Sequence, residues 1–152
     1  MIQEIREKLT IVETGKNIRE IVSADTKLRL ARLVNIDDQT VLIVDAAEKA
    51  SPRHCNHKLS IKDRELLYEE VEAPDLGTPN INVSKLVLAY YKNPNRTELV
   101  SIRVYINGNV SNKEAIELFL KVLEKYAPSY FERLRKILNK YVKTSTTEQC
   151  TR

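Results

Sequence analysis

Residues Glu98–Ala127 read ELVSIRVYINGNVSNKEAIELFLKVLEKYA, and the hydrophobic period changes inside that stretch. From Glu98 to Ile106 the run is rich in β-branched and aromatic residues that alternate with polar ones, as on a half-buried strand. Asn107-Gly108-Asn109 is a turn signal. Ser111 with Glu114 then makes a capping box, in which each side chain satisfies the other residue's backbone N–H at a helix start. Beyond it the period is helical. At about 100° per residue, Lys113, Glu114, Glu117, Lys121, Glu124 and Lys125 share an arc of roughly 120°, and Ala115, Ile116, Leu118, Phe119, Leu120, Val122, Leu123 and Tyr126 take about 200°. An ordinary surface helix buries a stripe of only ~100°, so helix 112–127 needs cover on two sides. The final helix or a second subunit is expected to supply what the sheet does not. Strand, turn and doubly covered helix in succession place the chain in the α+β class.

Upstream, Lys85 to Lys92 is β-rich and forms a hairpin with Glu98–Ile106 around Asn93-Pro94-Asn95-Arg96. The expected register sets Leu86, Leu88 and Tyr90 against Val104, Ile102 and Val100, with Lys92 beside Glu98. Lys85, Val87, Tyr91, Arg103 and Tyr105 then share the other face. Further back, Val41-Leu42-Ile43-Val44 is apolar at every position, which suits a central strand covered on both faces. Arg19–Ala24 and Lys27–Asn35 read as two more strands, the second slipping out of alternation at Ala31–Val34 as a bulge would cause. Ile2, Ile5 and Leu9 recur at helical spacing and open the chain with a short helix. Residues 61–72 read as a helix, because Ser60 and Asp63 suit a cap and Leu67, Tyr68 and Val71 share a helical face. Pro128 breaks the long helix, and Ser129 caps a last one running to about Lys143.

The expected architecture is therefore an antiparallel sheet of about five strands in the order α-β-β-β-α-β-β-α-α, with two C-terminal helices packed on it. Residues 1–143 form one domain, Ala73–Asn80 is a loop within it, and 144–152 is a polar disordered tail. That element order resembles the type III secretion chaperone-like fold, small α+β dimers that bind segments of other proteins. The resemblance implies a homodimer with an unidentified protein partner.

Charge is unevenly placed. Residues 129–143 hold Arg133, Arg135, Lys136, Lys140 and Lys143 against Glu132, which accounts for the whole chain's net +4. Arg133, Lys136, Lys140 and Lys143 line one arc of the helix, as contacts to nucleic-acid phosphates would, and the Tyr91/Arg103/Tyr105 face could add stacking. The same cations equally suit a solvated face near a helix C-terminus. Asp63, Glu65, Glu69, Glu70, Glu72 and Asp75 reverse the sign against Lys62 and Arg64.

Other chemistries are thinly represented. His54, Cys55 and His57 fall short of a closed metal site and lie between Arg53 and Lys58, so no metal and no cofactor are expected. Asp45 ends the buried strand with Glu48 and Lys49 nearby, where a hydrolase or nuclease could carry carboxylates. Asp-Ala-Ala-Glu-Lys does not match the nuclease Glu-x-Lys spacing, however, and suits a polar residue ending a strand. With glycines only at 15, 77 and 108, Gly-x-Gly-x-x-Gly, phosphate-loop and Gly-x-Ser-x-Gly motifs are all excluded. No run nears the ~18 apolar residues of a membrane span, and the acidic opening is unlike a signal peptide, so a cytoplasmic location is expected. A protein-binding adaptor leads this reading, followed by nucleic-acid binding and then a hydrolase.

Overall fold

The computed structural model describes residues 2–45, 65–92 and 97–139. Among the described residues it is an α+β structure with one seven-stranded antiparallel sheet and three helices. The elements are α1 (Ile2–Arg6), β1 (Leu9–Gly15), β2 (Ile18–Ser23), β3 (Arg29–Ile36), β4 (Gln39–Asp45), β5 (Leu66–Glu72), β6 (Val83–Lys92), β7 (Thr97–Asn107), α2 (Asn112–Tyr126) and α3 (Pro128–Asn139). The strand order is β1-β2-β3-β4-β7-β6-β5. Two meanders, β1–β4 and β5–β7, thus join through the β4/β7 ladder, which runs from Gln39↔Asn107 to Asp45↔Ser101. The all-apolar Val41–Val44 lies in the middle strand, but only Leu42 and Val44 join the core, and Ile43 on the other face is half-buried.

The strand count corrects the expectation of about five. Leu9 starts β1 instead of ending the first helix, because α1 stops at Arg6 and Leu9 pairs with Ser23. Residues 66–72 form a strand, not a helix, while 61–64 lie outside the described residues. As a helix this segment would crowd Glu69, Glu70 and Glu72 at the negative end of the dipole. As β5 it spreads them along β6, where Tyr90 Oη donates to Glu69 Oε1 at 2.7 Å and Lys85 Nζ lies 3.7 Å from Glu70 Oε2. Among the described residues the element order is therefore not the one that resembled the secretion chaperones.

Smaller shifts have local causes. The β6/β7 pairs Leu86↔Val104 and Leu88↔Ile102 fall as expected, but a bulge at Val100 sets Tyr90 against Leu99 and Lys92 against Thr97. The bulge in β3 falls at Leu30, between Arg29↔Val22 and Ala31↔Ile21, slightly ahead of the expected place. Pro128 starts α3 directly after Ala127, so Ser129 sits inside the first turn and is not the cap.

The core lies on one sheet face. Ile21, Leu33, Leu42, Val44, Leu86, Ile102, Val104 and Ile106 pack there with Leu118, Phe119, Leu120 and Leu123 of α2 and with Ile5, Phe131 and Leu134. The capping box forms as read, with Ser111 Oγ accepting from the Glu114 N–H at 3.1 Å and Glu114 Oε1 accepting from the Ser111 N–H at 2.9 Å. Ala115, Leu118, Phe119, Leu120, Val122 and Leu123 are all fully buried within the chain. Sheet, α1 and α3 therefore cover the wide arc of α2, and that arc calls for no second subunit. Arg6 fixes α1 on α2 through Glu117 Oε1, 2.7 Å from Nη2.

Candidate functional site

Where β2 turns into β3, three residues are tied to the buried Ser23. Its Oγ accepts from the backbone N–H groups of Thr26 and Leu28, both at 3.2 Å, and lies 2.6 Å from Thr26 Oγ1. Its backbone N–H donates to Leu28 O at 3.0 Å, and its carbonyl accepts from the Lys27 N–H at 3.0 Å. Lys27 takes a left-handed backbone at φ 62° to complete the turn. Leu28 is thereby held from both sides of its peptide while its side chain stays 49% exposed. An exposed leucine on so constrained a backbone is a rigid apolar projection.

Facing it is α3. Tyr130, Leu134 and Ile137 recur at helical spacing, so one stripe of the helix presents all three. Leu134 is buried, Tyr130 is half-buried and Ile137 is 42% exposed. Between this stripe and the start of β3 and end of β4 is a cavity of about 140 Å³, lined also by Leu28, Leu30, Ala31 and Ile43. Its polar lining comes from Arg29, Arg32 and Asp45. Arg29 Nη1 lies 3.5 Å from Glu20 Oε2, while the Arg32 guanidinium has no hydrogen bond or ion pair among the described residues. Arg133 neighbours the lining stripe and stacks its guanidinium over Tyr130, 5.5 Å from the ring centroid.

The expected site residues distribute as follows. Arg133 and Lys136 are exposed on α3, and Lys140 and Lys143 lie outside the described residues. Tyr91, Arg103 and Tyr105 share the sheet face away from the core, with Arg103 paired to Ile43 and Val87 and Tyr105 to Val41 and Lys85. Arg103 is exposed there, and Lys85 Nζ lies 5.1 Å from the Tyr105 ring centroid. Asp45 does end the central strand and reaches the cavity, but Glu48, like His54, Cys55 and His57, lies outside the described residues. Among the described residues no three His, Cys, Asp or Glu side chains gather as a metal site requires. No described helix is long and apolar enough to cross a membrane.

Sequence reasoning missed the cleft because its parts look ordinary singly: Leu28 reads as a strand residue and Ile137 as helix core. The one local signal was Ser23-x-x-Thr26 before an apolar residue, a side-chain-closed turn. Chemically the cleft suits an apolar group carrying a hydroxyl or an anionic neighbour, with Asp45 as acceptor and Arg32 as cation. Comparison with protein families, curated proteins and solved structures finds no match to this chain.

Proposed function

We propose that this chain is a non-enzymatic protein-binding domain, of the adaptor or chaperone-like kind, that seats an apolar side chain of a partner segment in the cleft between α3 and the β3–β4 end of the sheet. One observation carries the reading: two large apolar side chains, Leu28 and Ile137, stand 49% and 42% exposed around a 140 Å³ apolar cavity. Exposed apolar side chains scattered singly are normal, but clustered about a cavity they mark an interaction site. A displayed library of short peptides, panned against the full chain, should enrich sequences with a large apolar residue beside acidic ones. Leu28→Asp and Ile137→Asp should each abolish capture while changing stability by less than about 0.5 kcal/mol, as exposed substitutions do. Retained capture in both variants would sink the reading.

A second reading has its own observation. Tyr91, Arg103 and Tyr105 share one sheet face, and the exposed Arg133 and Lys136 extend the basic stripe of α3. Nucleic acid bound through Arg133, Lys136, Lys140 and Lys143 should show a log–log salt slope of about −3.6 on duplex DNA. Binding with a flat salt dependence, or none in anisotropy titrations at low salt, would exclude this use.

A further inference from the structure

We infer that the occupant of the cleft is the outer strand β5 of a second copy of this chain, with Tyr68 entering the cavity. Four side chains carry the inference. Among the described residues the exposed large apolar side chains are Leu28, Ile36, Leu66, Tyr68 and Ile137. Leu28 and Ile137 line the cleft, Leu66 and Tyr68 lie on β5, and Ile36 alone stands apart at the end of β3. Tyr68 is the most exposed of them, at 68%. It alternates with the core-facing Leu67 and Glu69, so it leaves the sheet on the side opposite the core together with Leu66 and Glu70.

The size matches. An apolar cavity of about 150 Å³ accommodates a benzene molecule, and this one is close to that volume. A buried phenol also needs an acceptor for its hydroxyl, and Asp45 supplies a carboxylate in the lining. The charges match as well. Glu70 and Glu72 share the face of β5 that carries Tyr68, with Lys85 as the cation neighbouring Glu70. Arg29, Arg32 and Arg133 surround the cleft, with Lys136 a turn further along α3. Glu20 and Asp45 offset part of that positive charge, and the cationic excess remains. Finally, among the described residues β5 is the outer strand of the sheet, the position from which a sheet is extended by pairing with another chain. The wide arc of α2 plays no part in this contact, which joins two different patches of the chain. Such a contact closes into a ring when the copies are related by a suitable rotation and otherwise extends into open chains.

This inference rests on the cleft being a protein-docking site, and the test separates the two. The full chain is sedimented from about 5 to 200 µM at low and high salt, alongside Tyr68→Arg and Ile137→Arg. Both substituted side chains are exposed, so both variants should fold as the parent does. The parent is expected to sediment above its 17.5 kDa monomer mass, less so at high salt because the charged rim is screened. Each variant alone should associate at least about tenfold more weakly, as loss of a central anchor does. Mixing the two should restore a one-to-one complex, because Tyr68→Arg keeps its cleft and Ile137→Arg keeps its strand. A parent that stays at 17.5 kDa throughout overturns the inference, as do variants that associate as the parent does. If that monomer still captures displayed peptides through Ile137, only the occupant is wrong; if it captures none, the docking reading falls too.

Discussion

Tyr90 and Ser23 show how single polar groups set the terms for what surrounds them. The Tyr90 hydroxyl is pushed up to about 12 by burial, reinforced by its hydrogen bond to Glu69 and by that carboxylate's charge. In an alkaline titration followed by tyrosinate absorbance, Tyr90 should therefore ionise about two pH units late. The sign for stability follows from a folded pKa above the unfolded one. The contribution of Tyr90 is whole below about pH 10 and is lost as pH rises through about 12. Glu69→Gln should bring the late tyrosine part of the way back, leaving the effect of burial. At Ser23 the expectation is mechanical. Ser23→Ala strips the acceptor from the Thr26 and Leu28 N–H groups and should cost about 1–3 kcal/mol in urea denaturation, with an unchanged m-value. It should also weaken whatever the cleft holds, because Leu28 loses its fixed position.

At the level of elements, α2 tests whether the cover for its wide apolar arc is internal. Leu120→Ala should destabilise the chain by about 2–5 kcal/mol, and by the same amount at every protein concentration. A cost that grows on dilution would mean a second copy supplies the cover. The helix itself was legible because period, capping box and Pro128 agree. The strands at both edges of the sheet were not, for a physical reason. An edge strand has one neighbour and weak cover, so its sequence need not alternate cleanly: β5 carries Leu66 and Tyr68 outward and Glu69 on the core side. At β1 the apolar Leu9 could serve a preceding helix turn or the strand, and pairing with β2 decided it. The cleft was illegible for a further reason: it joins the β2–β3 turn, the end of β4 and α3, which are distant in sequence. Of its polar lining, only Asp45 was singled out from the sequence, and for a catalytic role.

Across the whole molecule, the two meanders share a single seam. Leu42 and Val44 of β4 and Ile102, Val104 and Ile106 of β7 are fully buried along it. Their amides, with those of α2, should be the slowest to exchange hydrogen, opening only with global unfolding, while β1 and β5 open first. Exchange that is equally slow in β5 would contradict this ordering.

The seam also has a kinetic meaning. Every other ladder joins strands that are consecutive in sequence and can zip from a local turn, whereas β4 and β7 are separated by residues 46–96. Closing that long excursion loses chain entropy before any contact repays it, so the rate-limiting encounter should be the meeting of β4 with β7. Val44→Ala and Ile102→Ala should then slow refolding nearly in proportion to the stability they remove. Leu9→Ala, at the β1 edge, should leave refolding almost untouched and accelerate unfolding instead. Stopped-flow chevrons of the three variants distinguish these behaviours, and a Leu9→Ala variant that refolds slowly would move the nucleus to the N-terminal meander.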